Sequence, residues 1–392
     1  MKQLIIILLL LVSVNAFSQA SIDSVLARIE HNNTTLSALY KNMEADKTGN
    51  KTGIWLSNPE VEFNYLWGNP SAIGNRTDFA VSQSFDFPTA YAYRHQISEL
   101  KNDQAGLEYQ KQRLEILHQA RLVCGQLTFQ NARLTEYYKR VKNAGVMAGI
   151  YQKKLDAGET GILEYNKTQI SLLNLSKELE TIEMERQTLL DELARLNGGM
   201  ALAFSDTAFT MPPVLPGFEQ WYAQVETMNP MLQWLKQDLT LTQKQKQLQA
   251  AQNLPKFSAG YMSEKVVGEQ FQGVMLGVSI PLWENRNTIK RSKARVLAVE
   301  EMYADAKLQY YNQMKTQFNK VIALQNSVAG YRKSIEQFNN RELSRKALEK
   351  GELSLADYYI ELSFYYESID RLLEMERKAN LAYYELLRFS KL

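Results

Sequence analysis

The sequence predicts a mainly α-helical protein that also contains four β-strands long enough to cross a membrane. Three observations support this fold class. All nine prolines lie outside 89–211 and 282–392, and because proline costs about 3 kcal/mol inside a helix, these runs can form very long helices. Segments in which apolar and polar side chains alternate with a period of two, as is typical of β-strands, lie mainly outside these two proline-free runs. The same order of elements occurs twice, at an offset of about 193 to 197 residues, which indicates a tandem repeat.

The N-terminus predicts export. Lys2 precedes an apolar run over 4–14, and the small residues Ala16 and Ser18 follow it. The run is too short to span a bilayer comfortably, so we interpret 1–18 as a signal peptide and not as a membrane anchor. No later segment has 18 consecutive apolar residues, so the sequence predicts no transmembrane helix in the mature chain.

The first repeat is assigned to 19–197 and begins with a short helix. A β-hairpin follows, with strands 60–67 and 77–87. A long helix over 89–157 is about 100 Å long at 1.5 Å per residue, and the return helix over 162–196 is half that length. The alternating side chains that share one face are Val61, Phe63, Tyr65 and Trp67 in the first strand, and Phe79, Val81, Phe85 and Phe87 in the second.

A linker over 198–217, rich in Gly, Pro and Ser, leads to the second repeat over 218–392. The predicted elements of this repeat are strands 256–263 and 273–283, a long helix over 285–350 and a return helix over 355–390. In each repeat, the helix before the hairpin and the return helix are each about half as long as the long helix. Stacked end to end, these two helices match the length of the long one. The lengths therefore predict a rod with hairpins at one end and turns at the other.

Two similar sequences, "AGETGILEY" and "KGELSLADYY", interrupt the helices. Each contains a glycine, Gly158 or Gly351, followed six positions later by an acid, Glu164 or Asp357, and then by a tyrosine. Glycine permits a sharp turn because it adopts backbone geometry that other residues disfavour. An acid in the first turn of a helix is favoured by the helix dipole, so both acids also have a purely structural explanation.

The composition argues against several functions. A net charge of +2 gives no electrostatic support for nucleic-acid binding. The histidines His31, His95 and His118 are scattered and Cys124 is the only cysteine, so the sequence predicts neither a metal site nor a disulfide. It contains no Gly-rich phosphate loop before a lysine and no Gly-x-Ser-x-Gly motif. We therefore expect no cofactor and no enzymatic activity.

Together, the order of elements, the strand-to-helix junctions "VSQSFDFP" and "VSIPLWENRN" and the two glycine breaks resemble the outer-membrane efflux protein (TolC-like) family. The resemblance covers about 20–392. It implies a homotrimer in which each chain gives four strands to a shared twelve-stranded barrel in the outer membrane, with a helical tunnel extending into the periplasm. The implied function is the passive exit channel of a tripartite efflux or secretion system. The implied partners are a periplasmic adaptor (membrane fusion) protein, an inner-membrane pump and outer-membrane lipid.

The resemblance also implies roles for residues at the two breaks. The turns at the periplasmic tip would dock onto the adaptor; these residues are Gly158, Gly161, Gly351 and Ser354. Asp357 falls where family members often carry a carboxylate at the aperture, and Glu164 is its counterpart in the first repeat. The second repeat has Ile360 where a second acid would stand, so we expect no double acidic gate.

Aromatic residues crowd the strand ends, as an interfacial girdle would, and ordinary strand packing is the alternative explanation. The candidates are Trp67, Phe85, Phe87 and Trp283. The competing function for the whole chain is a periplasmic coiled-coil adaptor or scaffold, which the four alternating segments disfavour. Scattered methionines and few histidines give no specific support for metal efflux, and the sequence selects no substrate.

Overall fold

A computed structural model describes residues 21–209, 215–283 and 285–388 of the chain. The predicted signal peptide, 1–18, lies outside the described residues. So do 210–214 of the predicted linker, Glu284 and the last four residues, which include the predicted end of the return helix at 390.

The first repeat contains two short helices, a hairpin and two long helices. In chain order these are α1 (Ile22–Asn32), α2 (Thr34–Gly49), β1 (Glu60–Leu66), β2 (Arg76–Phe85), α3 (Pro88–Asp156) and α4 (Ile162–Leu196). α3 has 69 residues without interruption, as expected from a run that lacks proline after its first residue. In the three described ranges, none of the helices is both long and apolar enough to cross a membrane.

The second repeat follows the same order. Its elements are α5 (Phe218–Met228), α6 (Pro230–Gln252), β3 (Lys256–Val266), β4 (Glu269–Ser279), α7 (Thr288–Gln337), α8 (Arg341–Glu349) and α9 (Leu355–Leu386). Equivalent asparagines separate the paired short helices in both repeats. Asn33 Oδ1 accepts the Leu36 N–H at 2.8 Å, and Asn229 Oδ1 accepts the Met231 N–H at 2.8 Å. An asparagine at this position starts a new helix because its side chain satisfies a free backbone donor.

The second long helix differs from the sequence prediction. A continuous helix was expected over 285–350, but α7 ends at Gln337 and α8 begins at Arg341. The side chain of Asn339 accounts for the break. Asn339 Oδ1 accepts the Arg341 N–H at 3.1 Å, and asparagine side chains that bond the backbone in this way compete with helix continuation.

The second hairpin is also tighter than expected. The sequence predicts a loop over 264–270, whereas β3 and β4 pair up to Val266 and Glu269. Only Val267 and Gly268 form the turn, and both have positive φ, 48° and 89°. Two positive φ values are typical of the two-residue turn that matches the twist of a hairpin.

The four strands form one antiparallel sheet in the order β1-β2-β3-β4. The register aligns the alternating side chains of neighbouring strands, with Phe63 opposite Phe79 and Tyr261 opposite both Val81 and Val274. One face is therefore mostly apolar; its residues include Val61, Phe63, Tyr65, Phe79, Val81, Phe85, Phe257, Ala259, Tyr261, Val274, Leu276 and Val278. The other face is more polar, and there Arg76 contacts Asp78 at 2.7 Å and Glu264 at 3.2 Å.

The chain divides into two compact units, and each contains segments of both repeats. One unit comprises Ser37–Lys111 and Gln224–Tyr311 and contains the whole sheet. The other comprises Gln112–Ala223, Asn312–Leu392 and the segment that ends at Leu36, and it contains both glycine breaks. The packing units therefore differ from the sequence repeats, because each unit combines corresponding parts of the two repeats.

The unit with the glycine breaks has a buried core between α1, α3 and α4. Residues of this core include Val25, Ile29, Leu117, Leu127 and Leu193. Leu202 and Phe204, which the sequence assigns to a linker, are only 7% and 2% exposed and belong to the same core. The start of the predicted linker is therefore a packed segment, because its apolar side chains are buried against α1, α3 and α4.

Candidate functional site

The two glycine breaks have the same backbone geometry. Gly158 and Gly351 both have positive φ, 72° and 76°. The N–H of the residue after each glycine donates to a carbonyl five residues earlier, Glu159 to Lys154 at 2.8 Å and Glu352 to Ala347 at 2.9 Å. This bond and the left-handed glycine define a Schellman motif, which ends a helix and satisfies its last carbonyls. The duplicated sequence thus makes a duplicated turn.

The helices that follow the two turns start differently. Ser354 caps α9, since its hydroxyl oxygen accepts the Asp357 N–H at 3.1 Å and its O–H donates to Asp357 Oδ2 at 2.6 Å. Gly161 occupies the equivalent position before α4 and has no side chain to cap the helix. Asp357 is exposed, and its carboxylate is held at the start of α9 by the serine.

Glu164 has a different environment from Asp357. It is half-buried and lies close to the Cα of Gly161, where an added Cβ would come within 2.9 Å of its Oε2. Burial, and secondarily the charge of Glu164, raises the pKa of the Tyr151 hydroxyl near the end of α3. The two acids are equivalent in sequence but make different contacts.

A small apolar cluster supports the turn in the second repeat. Tyr151 of α3 packs with Leu355 and Tyr358 of α9, and all three are less than 9% exposed. Partly buried residues surround them; these are Met147, Leu348, Leu353, Tyr359 and Leu362. The end of α3 therefore packs against the α8–α9 turn.

A buried arginine links α3 to α9 further from the turns. Arg140 is 2% exposed and donates to both carboxylate oxygens of Asp370, at 2.9 and 2.7 Å. Its guanidinium lies between two rings, 4.6 Å from the centroid of Tyr137 and 4.3 Å from that of Tyr366. Arginine suits this position because it is planar, stacks on aromatic rings and binds a carboxylate through two bonds. No local sequence motif marks this cluster, so the sequence alone does not predict it.

Two grooves lie beside α9. One, of about 500 Å³, runs between α4 and α9 and includes Ile170, Leu175 and Tyr359 in its wall. The other, of about 280 Å³, lies beside the asparagine break between α7 and α8 and includes Phe338 and Tyr365. Across the described residues, the His, Cys, Asp and Glu side chains form no group of three that could hold a metal ion.

The predicted girdle aromatics lie at both ends of the sheet. Trp67 directly follows β1 at the hairpin end and is 80% exposed. Phe85 ends β2, and Phe87 precedes α3 at the opposite end, where Trp283 is 81% exposed. The apolar face between these ends is also exposed, with Val274 at 83% and Leu276 at 81%. A contiguous exposed apolar surface of this kind marks contact with a membrane or with another protein.

The fold is similar to that of solved outer-membrane channels. The transmembrane channel protein CusC is 12% identical with a TM-score of 0.77, over 95% of this chain and 92% of CusC. The outer membrane protein VceC of Vibrio cholerae is 12% identical with a TM-score of 0.71, over 95% of this chain and 94% of VceC. The CmeC outer membrane channel of Campylobacter jejuni is 13% identical with a TM-score of 0.69, over 94% of this chain and 84% of CmeC.

No protein-family model and no curated protein sequence matches the chain. At identities this low the likeness concerns the fold. The resemblance inferred from the sequence is confirmed at that level, and it extends over nearly the whole chain.

Proposed function

We propose that this protein is the outer-membrane exit channel of a tripartite efflux or secretion system and conducts its substrate passively. The observation that carries the proposal is the sheet, whose strands form one exposed apolar face and two open edges within a fold shared with outer-membrane channels. β3 and β4 have 11 residues each and β2 has 10, which suits tilted strands that cross a bilayer.

The open edges of the sheet explain why the channel would be a homotrimer. β1 and β4 each pair on one side only, and an unpaired edge in lipid costs several kcal/mol for each backbone group left without a partner. Three copies joined through these edges close a twelve-stranded barrel. The apolar face then contacts outer-membrane lipid, and the polar face with Arg76 and Glu264 lines the lumen.

The helices extend into the periplasm and end in the two glycine turns. There Gly158 and Gly161 of one turn, with Gly351 and Ser354 of the other, form the surface that docks onto a periplasmic adaptor. The adaptor connects the channel to an inner-membrane pump, which supplies the energy for export. The matching Schellman geometry supports this assignment, because a trimer would present six similar turns in a ring.

Asp357 and Glu164 are the candidates for the aperture at this end. Three copies of an acid around a narrow pore would favour cations and raise the barrier to opening. Asp357 is the stronger candidate because its carboxylate is exposed and held in one position by Ser354.

Export measured together with outer-membrane abundance tests the proposal. Proline at Gly158 or Gly351 is incompatible with a φ near +70°, so either substitution should disrupt its turn and reduce export while membrane insertion remains normal. Gly330→Ala is the matched control, since this helical glycine has open space around its Cα. Normal export by both proline variants at normal abundance would refute the tip assignment. Recovery of the wild-type protein in the soluble periplasmic fraction would favour the scaffold alternative and refute the channel.

A further inference from the structure

We propose that the sheet-proximal ends of α6 and α7 form a binding site for the phosphate group of anionic phospholipids, here called the basic collar. Its binding groove contains Arg291 and Arg295. The further basic residues that lie near these helix ends in the sequence are Lys244, Lys246, Lys256, Arg286, Lys290 and Lys293. The inference rests on the proposed function, because it takes the sheet as the membrane-spanning part of the channel. It adds a specific lipid partner and names the side chains that recognise it.

The first turns of α7 concentrate positive charge without compensation. Five basic residues lie within 286–295, and Glu284 is the one acid between 270 and 299. The side chains of Arg286, Lys290, Arg291, Lys293 and Arg295 are all exposed. In the part of the chain that the structure describes, none of the five has an ion pair. Concentrated charge that no carboxylate neutralises is available to an external anion.

The facing end of α6 is also basic. Lys244 and Lys246 are half-buried, Lys256 opens β3, and no acidic residue occurs over 239–263. The charge therefore comes from two helices that belong to the same compact unit.

A groove of about 700 Å³ lies between these two helix ends. Arg291 and Arg295 of α7 are in its wall, one turn apart, together with the polar side chains of Gln245 and Gln249 from α6. A guanidinium binds a phosphate through two parallel N–H bonds, and amide N–H groups add further donors. Leu248 supplies apolar surface, which suits the glycerol and upper acyl region of a lipid.

The position of the groove selects a lipid over a soluble phosphate. The α7 residues of the groove come after β4 and Trp283 in the chain. Val278 of β4 is 61% exposed, and Trp283 is 81% exposed. An apolar strand, an interfacial tryptophan and a basic cluster in sequence are typical of a chain that leaves a bilayer at an anionic surface. In the proposed orientation this surface is the leaflet that faces the periplasm.

The first repeat provides an internal comparison. Its equivalent junction carries Arg94, which is paired with Asp86, and His95, which contacts Glu99 at 3.4 Å. The one arginine of this junction is therefore already matched by an acid of the same chain. The basic collar is therefore a property of the second repeat only, and it predicts one lipid site per chain.

The test is native mass spectrometry of the trimer in neutral detergent, titrated with dioctanoyl phosphatidylglycerol or with dioctanoyl phosphatidylcholine. We expect one phosphatidylglycerol per chain and at least about tenfold weaker binding of phosphatidylcholine. Each basic residue near an anionic surface contributes about fivefold to binding, so the triple variant K290Q/R291Q/R295Q should bind about a hundredfold less tightly at low ionic strength. Glutamine preserves the helix because its propensity is close to that of lysine and arginine.

Three exposed lysines elsewhere on the long helices provide a charge-matched control, K142Q/K320Q/K333Q, which should bind like wild type. The variant R291K/R295K keeps the charge but loses the paired N–H bonds of the guanidinium groups, so its affinity should lie between those of the wild type and the triple variant. Equal affinity for the two lipids, or unchanged phosphatidylglycerol binding by a folded triple-variant trimer, would overturn the proposal and leave the channel function intact. Competition by inorganic phosphate at concentrations equal to the lipid would show a free-phosphate site and would also overturn it. Failure of the wild-type protein to form a trimer would instead contradict the proposed function.

Discussion

At the scale of single residues, the two acids beyond the glycine turns are not interchangeable. Ser354 caps α9 and its hydroxyl donates to the Asp357 carboxylate, whereas Glu164 follows Gly161 and lies half-buried beside Tyr151. A serine N-cap and an acid in the first turn stabilise the helix start irrespective of any role in a pore. The effect of the Asp357 charge on the pore and the effect of the Ser354 cap on helix stability must therefore be measured separately.

Two substitutions make this separation. Asp357→Asn removes the charge but keeps an oxygen that accepts a hydrogen bond, so it should raise single-channel conductance and weaken cation preference in planar bilayers. Ser354→Ala removes the cap but keeps the charge, so it should cost about 1 kcal/mol of helix stability and change selectivity less than Asp357→Asn does. If Asp357→Asn leaves conductance and selectivity unchanged, the acid only stabilises the helix start.

His118 provides a pH-dependent test of the packing between α3 and α9. Burial lowers the pKa of this imidazole, although Glu385 Oε2 at 3.2 Å opposes the shift and the neighbouring Arg388–Glu115 pair adds charge of both signs. A folded-state pKa below the unfolded value makes the neutral form the stabilising one. Its contribution is present above about pH 6.5 and is lost as the pH falls through the folded pKa. When the pH falls from 7.5 to 5.5, the apparent melting temperature of the wild-type protein should decrease more than that of His118→Gln. Equal decreases would contradict this role of His118.

At the scale of elements, the sequence predicted what local chemistry determines. The Pro-free runs became long helices, and Gly158 and Gly351 adopt the left-handed conformation that a sharp helix end requires. The break between α7 and α8 was missed because asparagines inside a helix pattern reveal their role only when the side chain binds the backbone. Phe204 was assigned to a linker because its burial depends on residues distant in sequence.

The Arg140 cluster is the strongest polar link between α3 and α9 that we identify. Arg140→Met should lower the free energy of unfolding by about 2 kcal/mol, because it removes two charged hydrogen bonds to the partly exposed Asp370 and two ring contacts. The double variant R140M/D370L should recover part of this loss, because it also removes the carboxylate that the single substitution leaves without its partner. Thermal unfolding of both single variants and the double variant gives the interaction energy between Arg140 and Asp370. Strictly additive losses would show that the two residues do not act as a pair.

At the scale of the whole molecule, the proposed channel requires the four strands of one chain to become part of a closed barrel. The sheet has an apolar face, a polar face and two unpaired edges. In a closed barrel of three copies, the apolar face would contact lipid, the polar face would line the lumen and the edges would pair between copies. Neither the edges nor the apolar face has a covering element among the described residues of the same chain. The repeat supplies two hairpins per chain, and in the proposed trimer three chains would close the barrel.

Cysteine cross-linking between the edge strands tests this central claim most directly. Single cysteines at Val61, Phe63 or Tyr65 of β1 are combined with single cysteines at Val274, Leu276 or Val278 of β4, and outer membranes are oxidised. Native Cys124 should not interfere, because it is buried and its burial raises the thiol pKa to about 12. We expect at least one pair to give a covalent ladder of monomer, dimer and trimer that stops at three chains. Only monomers for all nine pairs, or a ladder that continues beyond three, would contradict the closed trimeric barrel.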